Sequence, residues 1–276
     1  MDRRKAMRTA AGVFAGGGLS IFTLANAFRP EKQETKEPYK LAYSNPESGW
    51  DYLKLDPSVT ASLAYDFYSE GSCMYATVRS IISQLAEKIG EPFNSFPVNM
   101  FKYGHGGIGG YGSVCGSLNG AAAIIGLFIH DKSIQNSIIS DIFQWYEIES
   151  FPNFSPSNPN YDYTPPKSIA HSVLCHASNT SWCKTSGMKV SSEERKERCR
   201  RLTADVAHRV SSALNDIFDD NYVANLHNNE TNNSCMACHG KEGKISNTSV
   251  KMSCTSCHTE SIGHKVFADA HYKFME

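Results

Sequence analysis

Apolar residues return at helical spacing through the middle of the chain, most clearly after Ser72. Val78, Ile81, Ile82, Leu85 and Ile89 fall on one helical face. They predict a packed helix from about Ser72 to Lys88, with Gly90 near its C-terminal end. Just ahead, Asp56-Pro57 supplies an N-cap and a proline at the first helical position, so a first helix is expected through about Phe67. The run Gly120 to Ile129 is nearly all apolar. It is too short to cross a bilayer and reads as a buried core helix. Another helix is expected over Ile134 to Ile148. Ser191-x-x-Glu194 reads as a capping box opening a long helix to about Phe218. The apolar face of that helix is Cys199, Leu202, Val206, Val210, Ala213 and Ile217. His208 lies roughly opposite, in solvent, and Cys199 points inward.

Between these segments the pattern breaks. Residues 28–55 are polar, punctuated by Pro30, Pro38 and Pro46, and read as a linker or surface arm. Tyr103 to Cys115-Gly116 holds seven glycines among fourteen residues, a density that means tight turns and close backbone approach. Gly104, Gly106 and Gly109 formally satisfy G-x-G-x-x-G. No strand precedes them and glycines continue where a helix should open, so a dinucleotide site is discounted. A pocket for a compact inorganic cofactor and plain close packing both explain the loop. Residues 151–166, with five prolines, form a loop, and Cys175-His176 to Cys183 is a short mixed stretch. From Asp219 onward Asn, Thr, Ser and Lys dominate, and such a tail buries too little apolar surface to fold by itself. The expected fold is mainly α, with a helical cysteine-rich domain over 56–218 and a low-regularity segment over 219–276.

The N-terminus has a different character. Residues 1–27 begin with a basic stretch containing Arg3-Arg4, continue without charge from Thr9, and end in Ala25-Asn26-Ala27, a small-x-small cleavage form. They read as an export signal of the twin-arginine kind, with an uncleaved anchor as the alternative. Export implies a periplasmic protein. Over all 276 residues the formal net charge is −1, which leaves no basic footprint for a nucleic-acid partner.

Nine cysteines is a high count, and four of them occur in Cys235-Met-Ala-Cys238-His239 and Cys254-Thr-Ser-Cys257-His258. C-x-x-C-H is the attachment site of haem c. Two thiols three residues apart can each form a thioether to one porphyrin vinyl group, and the following histidine supplies the proximal ligand. The same cysteines also fit C-x2-C-x15-C-x2-C, a zinc pattern. Zinc with four thiolates needs neither histidine, yet one follows each pair. Two covalent haems, with His239 and His258 as proximal ligands, are therefore the leading reading, and haem gives the polar tail the apolar core it lacks.

Each iron has a sixth position. His227, His264 and His271 flank the motifs, and His105 sits among glycines that leave it room, so these four are the candidate distal ligands, two being expected. The remaining cysteines are Cys73, Cys115, Cys175, Cys183 and Cys199. Buried cysteine is often only a small hydrophobe. Three or four converging thiolates suit an iron–sulfur cluster, with Cys115, Cys183, Cys199 and Cys175 ranked ahead of Cys73.

Ser72-Cys73-Met-Tyr-Ala, Gly112-Ser-Val-Cys115-Gly-Ser-Leu-Asn-Gly-Ala, Trp182-Cys183 and Arg198-Cys199 resemble a redox-active, cysteine-rich helical module. With two C-x-x-C-H motifs appended, residues 60–276 resemble the split-Soret cytochrome c family. The resemblance implies an exported homodimer with bis-histidine haems stacked so closely that their Soret band splits. It also implies a [2Fe-2S] cluster held by cysteines of the helical module, matching Cys115, Cys183 and Cys199 most clearly, and a host among anaerobic sulfate reducers. The function expected is single-electron transfer between a periplasmic donor and an acceptor protein. A haem- or cluster-dependent reductase and a zinc-stabilised binding module are the alternatives.

Overall fold

The computed structural model describes residues 50–227 and 229–258. The export signal, most of the arm, and His264 and His271 lie outside the described residues. The fold is mainly α. Helix α1 spans Pro57–Ile89, α2 Gly116–Phe128, α3 Lys132–Ile148, α4 Cys175–Ser186, α5 Glu193–Phe218, α6 Glu230–His239 and α7 Thr255–His258. Two strands, β1 (Ser150–Phe151) and β2 (Ser168–Ile169), pair antiparallel at the base of the proline-rich loop.

Asp56 caps α1, its carboxylate accepting from the amides of Ser58 and Val59, as Asp-Pro leads one to expect. The helix breaks at Ser72, which stands at φ 64° and ψ −165°. The break separates the two helices read from the sequence, and a new helical start falls on Cys73. Beyond it Val78, Ile81, Ile82 and Leu85 are buried. They join Leu118, Ile124 and Phe128 of α2 with Leu202, Val206 and Val210 of α5 in one core. The most extensive packing is that of α1 on α5, followed by α1 on α2. Among the described residues no helix is long and apolar enough to cross a membrane.

Three expectations are corrected. The end of the arm belongs to the core: Tyr52 and Leu55 are buried. Asn215 on α5 holds them, accepting from the Tyr52 hydroxyl at 2.8 Å and donating to the Leu55 carbonyl at 2.7 Å. The apolar side chains Trp50, Tyr52 and Leu55 outweigh the polar character of the stretch before them. Second, Cys175–Ser186 is a helix. Its start is set by tertiary pairing, a bridge between Val114 and Leu174 and a 2.7 Å bond from the Cys175 amide to the Ser113 carbonyl. Third, the cap of α5 is Ser192, whose hydroxyl accepts from the Arg195 amide at 3.2 Å. The third helical position is therefore Arg195, and no reciprocal glutamate box forms.

The glycine loop is close packing. A 3-10 helix over Val98–Tyr103 leads into it, so the strand that a dinucleotide fold requires does not precede it. A β-carbon on Gly104 would stand 2.3 Å from Met74, and one on Gly116 would stand 2.0 Å from the Gly104 carbonyl oxygen and 2.9 Å from Cys73. The loop is thereby pressed onto α1 beside Cys73.

Candidate redox centres

Two groups of cysteines stand apart in the structure. The first is internal. Cys73 opens the second half of α1, Cys115 is the N-cap residue of α2, and Cys175 is the first residue of α4. Cys199 faces them from α5. All four are buried. Helix N-termini favour negative charge on sulfur, and three of the four thiols sit at such starts. Asn179, one turn after Cys175, links two of them: its amide nitrogen lies 3.2 Å from the Cys175 sulfur, and its carbonyl oxygen 3.4 Å from the Cys199 sulfur.

Burial pushes the Cys175 thiol up to about 12, and the neighbouring Cys115 and Cys199 add to the effect. Burial first, then Cys115, Cys199 and Cys175, holds the Cys73 thiol well above its ordinary value. Thiols so placed keep their protons until a metal cation replaces them. Two tyrosines close the group. Tyr68 packs with Cys73 and Cys199, and the Tyr146 hydroxyl donates to Ser178 Oγ at 2.9 Å. Two guanidinium groups approach it as well, Arg195 Nη1 and Arg198 Nη1 each 3.9 Å from the Cys199 sulfur.

Cys183 stands at the rim. It is only partly buried, and of the other four thiols only Cys199 acts on its ionisation. Cys73, ranked last from the sequence, stands with the central group. Asn179 and Arg195 carried no signal of function in the sequence, and Arg198 entered only as the neighbour of Cys199 in the Arg198-Cys199 motif. The spacing of Asn179 from Cys175 and of Arg195 from Cys199, each one helical turn, becomes informative only once α4 is known to be a helix. Among the described residues no three His, Cys, Asp or Glu side chains close on a point tightly enough to hold one metal ion. The donor set nevertheless fits an iron–sulfur group: soft sulfur donors at helix starts, a glycine approach beside Cys73, and a buried guanidinium whose Nε has no hydrogen-bond partner among the described residues.

The second group is the tail. Cys235, Cys238 and His239 lie in α6, where a three-residue spacing puts both thiols on one face. Cys254 precedes α7, and its carbonyl accepts from the amides of Cys257 and His258 at 3.2 and 3.0 Å. Asn232 holds the two motifs together, accepting from the Cys254 amide at 2.9 Å and donating to the Met252 carbonyl at 3.0 Å. Partial burial and the adjacent Cys235 thiol push the Cys254 thiol up. His239 Nδ1 lies 2.9 Å from Asn247 Oδ1, a contact that orients the ring.

The tail rests on α3. The Ser253 amide donates to Glu147 Oε1 at 3.1 Å, the His227 amide to Gln144 Oε1 at 2.8 Å, and Ser256 Oγ to the His171 carbonyl at 2.8 Å. A cleft of about 710 Å³ lies between α3 and the tail, with His227 and Met236 among its lining residues. Of the two distal candidates among the described residues, His227 lines this cleft with Met236 of the first haem motif. His105 is exposed on the glycine loop.

These two arrangements have counterparts among known proteins. Residues 75–213 match the family described as "Putative redox-active protein (C_GCAxxG_C_C)". The split-Soret cytochrome c of Desulfovibrio desulfuricans is 35% identical over 218 residues, which cover 76% of this chain and 78% of that protein. The chain belongs to the split-Soret cytochrome c family. A solved structure of the split-Soret cytochrome c from Desulfovibrio desulfuricans, described as having a novel iron centre, superposes with a TM-score of 0.73 at 33% identity. That match covers 79% of this chain and 92% of the solved one. Membership carries the mainly α fold and a redox, electron-transfer role. In this split-Soret chain the family match begins two residues after Cys73 and takes in the other four cysteines of the helical part.

Proposed function

We propose that this chain is an exported dihaem cytochrome c for single-electron transfer, with an iron–sulfur cluster held inside its helical domain. Cys235 and Cys238 with His239, and Cys254 and Cys257 with His258, are the residues to hold the haems. Cys73, Cys115, Cys175 and Cys199 are the central thiols for the cluster, with Cys183 within reach of the Cys199 side. Haem iron and a [2Fe-2S] cluster, when bound, supply one-electron redox chemistry.

The observation that carries the reading is the joint docking of the two C-x-x-C-H turns. Asn232 ties one motif to the other, and Glu147 holds the second against α3. Asn247 orients the proximal ring of the first. The neighbour of Glu147 on α3 is Tyr146, which faces the buried thiols, so one helix carries both centres. The basic start at Arg3-Arg4 supports export to the periplasm. Family membership supports a homodimer with close haems, and His227 is the favoured distal ligand, with His105, His264 and His271 the other candidates. Electron donor and acceptor proteins are the expected partners.

A pyridine haemochrome assay on the purified holoprotein tests this directly, with two haems per chain as the expected result and iron plus acid-labile sulfide above the haem iron. Absence of covalent haem would leave the paired Cys235 and Cys254 thiols to a zinc module. High-spin iron in both haems would instead point to a reductase.

A further inference from the structure

Five arginines of α5 are fully or partly buried in the helical domain, and three of them meet a carboxylate. Arg200 and Arg201 pair with Glu197 at 2.9 and 2.7 Å, and Arg209 with Asp141 at 3.0 Å. Arg198 is the most deeply buried, 1% exposed, and among the described residues no carboxylate lies within ion-pair distance of it. Its Nη2 donates to Ser178 Oγ at 2.9 Å, its Nη1 lies 3.9 Å from the Cys199 sulfur, and its Nε has no partner. Glu197, next to it in the chain, is taken up by Arg200, Arg201 and the Tyr65 hydroxyl, and Asp205, two turns further on, accepts from the amides of Asn153 and Phe154 at 2.8 and 2.7 Å.

A permanently charged guanidinium in such a site needs a compensating negative charge, since an isolated buried ion costs several kcal/mol or more. The groups facing it are Ser178, Tyr146 and the thiols of Cys199 and Cys115, with the Asp205 carboxyl acting on it at longer range. With the hydroxyls neutral, and Asp205 outside ion-pair distance and pushed by burial toward its neutral form, sulfur is the group in contact that can supply the compensating charge. Arg195, one turn before Cys199, adds a second and more accessible cation at the same sulfur.

We propose that Arg198, seconded by Arg195, is the counter-ion of the sulfur site and sets its reduction potential. The proposal rests on the reading of these thiols as the ligands of an iron–sulfur cluster. Reduction adds one electron, and so one negative charge, to the pocket, with no bond broken and no proton taken up. A fixed cation stabilises the more negative, reduced state, so Arg198 raises the potential. It acts as a positioning and charge-setting residue, without itself binding metal.

The test is a mediator-poised potentiometric titration of the holoprotein, with the reduced cluster followed by electron paramagnetic resonance separately from ferric haem. Wild type, Arg198→Met, Arg198→Lys and Arg195→Met are compared, each after iron and sulfide are quantified. Arg198→Met is expected to lower the equilibrium constant for reduction at least tenfold, about 59 mV for one electron. Arg198→Lys should stay near wild type, and Arg195→Met should fall by a smaller amount because solvent screens it. A loaded Arg198→Met protein with the wild-type potential overturns the proposal. If Arg198→Met does not fold, an unchanged potential in Arg195→Met overturns it instead. Wild-type protein lacking non-haem iron and sulfide refutes the cluster reading itself, a result distinct from either.

Discussion

At the scale of single residues, Gly116 and Asp205 have the most sharply defined roles. A methyl group on Gly116 meets the backbone oxygen of Gly104 at 2.0 Å and Cβ of Cys73 at 2.9 Å, and neither can swing away as a flexible side chain would. Gly116→Ala should therefore destabilise the protein by about 3 kcal/mol, the upper range for overpacking. It should also lower iron content, because Cys73 and Cys115 are forced apart. Urea midpoints and iron analysis of the same preparations check both outcomes. Asp205 is different, since burial pushes its carboxyl up to about 7 against the bonds it accepts from Asn153 and Phe154. A folded-state value above the ordinary carboxylate value of 3.8 means that the folded protein holds more protons between these limits. Stability from this group is then full below about pH 4 and is lost as pH rises through about 7. At ~1.4 kcal/mol per unit the loss is at most about 4 kcal/mol. Asp205→Asn should flatten the stability profile across pH 4 to 7, and an unchanged slope in denaturant melts at several pH values would refute this assignment.

At the scale of elements, the break in α1 shows how strain serves a site. Ser72 occupies a backbone region that only glycine visits freely, at a cost of about 1–3 kcal/mol. In return Cys73 begins a fresh helical segment beside Cys115. Ser72→Gly should relieve part of that cost, raising stability by about 1 kcal/mol without loss of iron, whereas Ser72→Val should lower both. Thermal melts with metal analysis decide between these. The helices themselves were largely legible beforehand, because α1, α2, α3 and α5 each carry a long apolar face bounded by Asp, Pro, Ser or Gly. Helix α4 was not. Its residues alternate small, polar and thiol side chains, Leu174 offers no side-chain cap, and its start depends on contacts with Ser113 and Val114 far away in the chain. The same cause hid Asn179 from view. The cysteines could be picked out as a set, but their order could not. Cys73 looked like an ordinary core residue until the kink at Ser72 turned it toward the others, and the Arg198-Cys199 motif did not reveal that the guanidinium is buried without a carboxylate partner among the described residues.

At the scale of the whole molecule, the helical domain and the tail are held by different means. The helical domain has a continuous apolar core. Helices α6 and α7 contain no buried residue among those described, and hydrogen bonds hold the tail to α3 and its neighbourhood. Each such bond contributes about 1 kcal/mol net, whereas ordering each residue of backbone costs about 1–2 kcal/mol. A few contacts through Gln144, Glu147, His171 and Ser140 cannot order a segment of this length. The strongest attachment lies at its start, where buried Asp141 binds both Arg209 and the Tyr222 hydroxyl. On the proposed dihaem reading, covalent haem supplies the missing apolar core. A chain carrying Cys235→Ala, Cys238→Ala, Cys254→Ala and Cys257→Ala should consequently become sensitive to limited proteolysis beyond Tyr222, with a resistant fragment ending near Phe218 to Tyr222. The unfolding midpoint of its core should change by no more than about 1 kcal/mol, since the core makes few apolar contacts with the tail. The haem-loaded wild type should resist the same protease along its tail. Mass spectrometry of the digests locates the cuts, and a tail that stays protected without haem would mean that α3, rather than the cofactor, orders it.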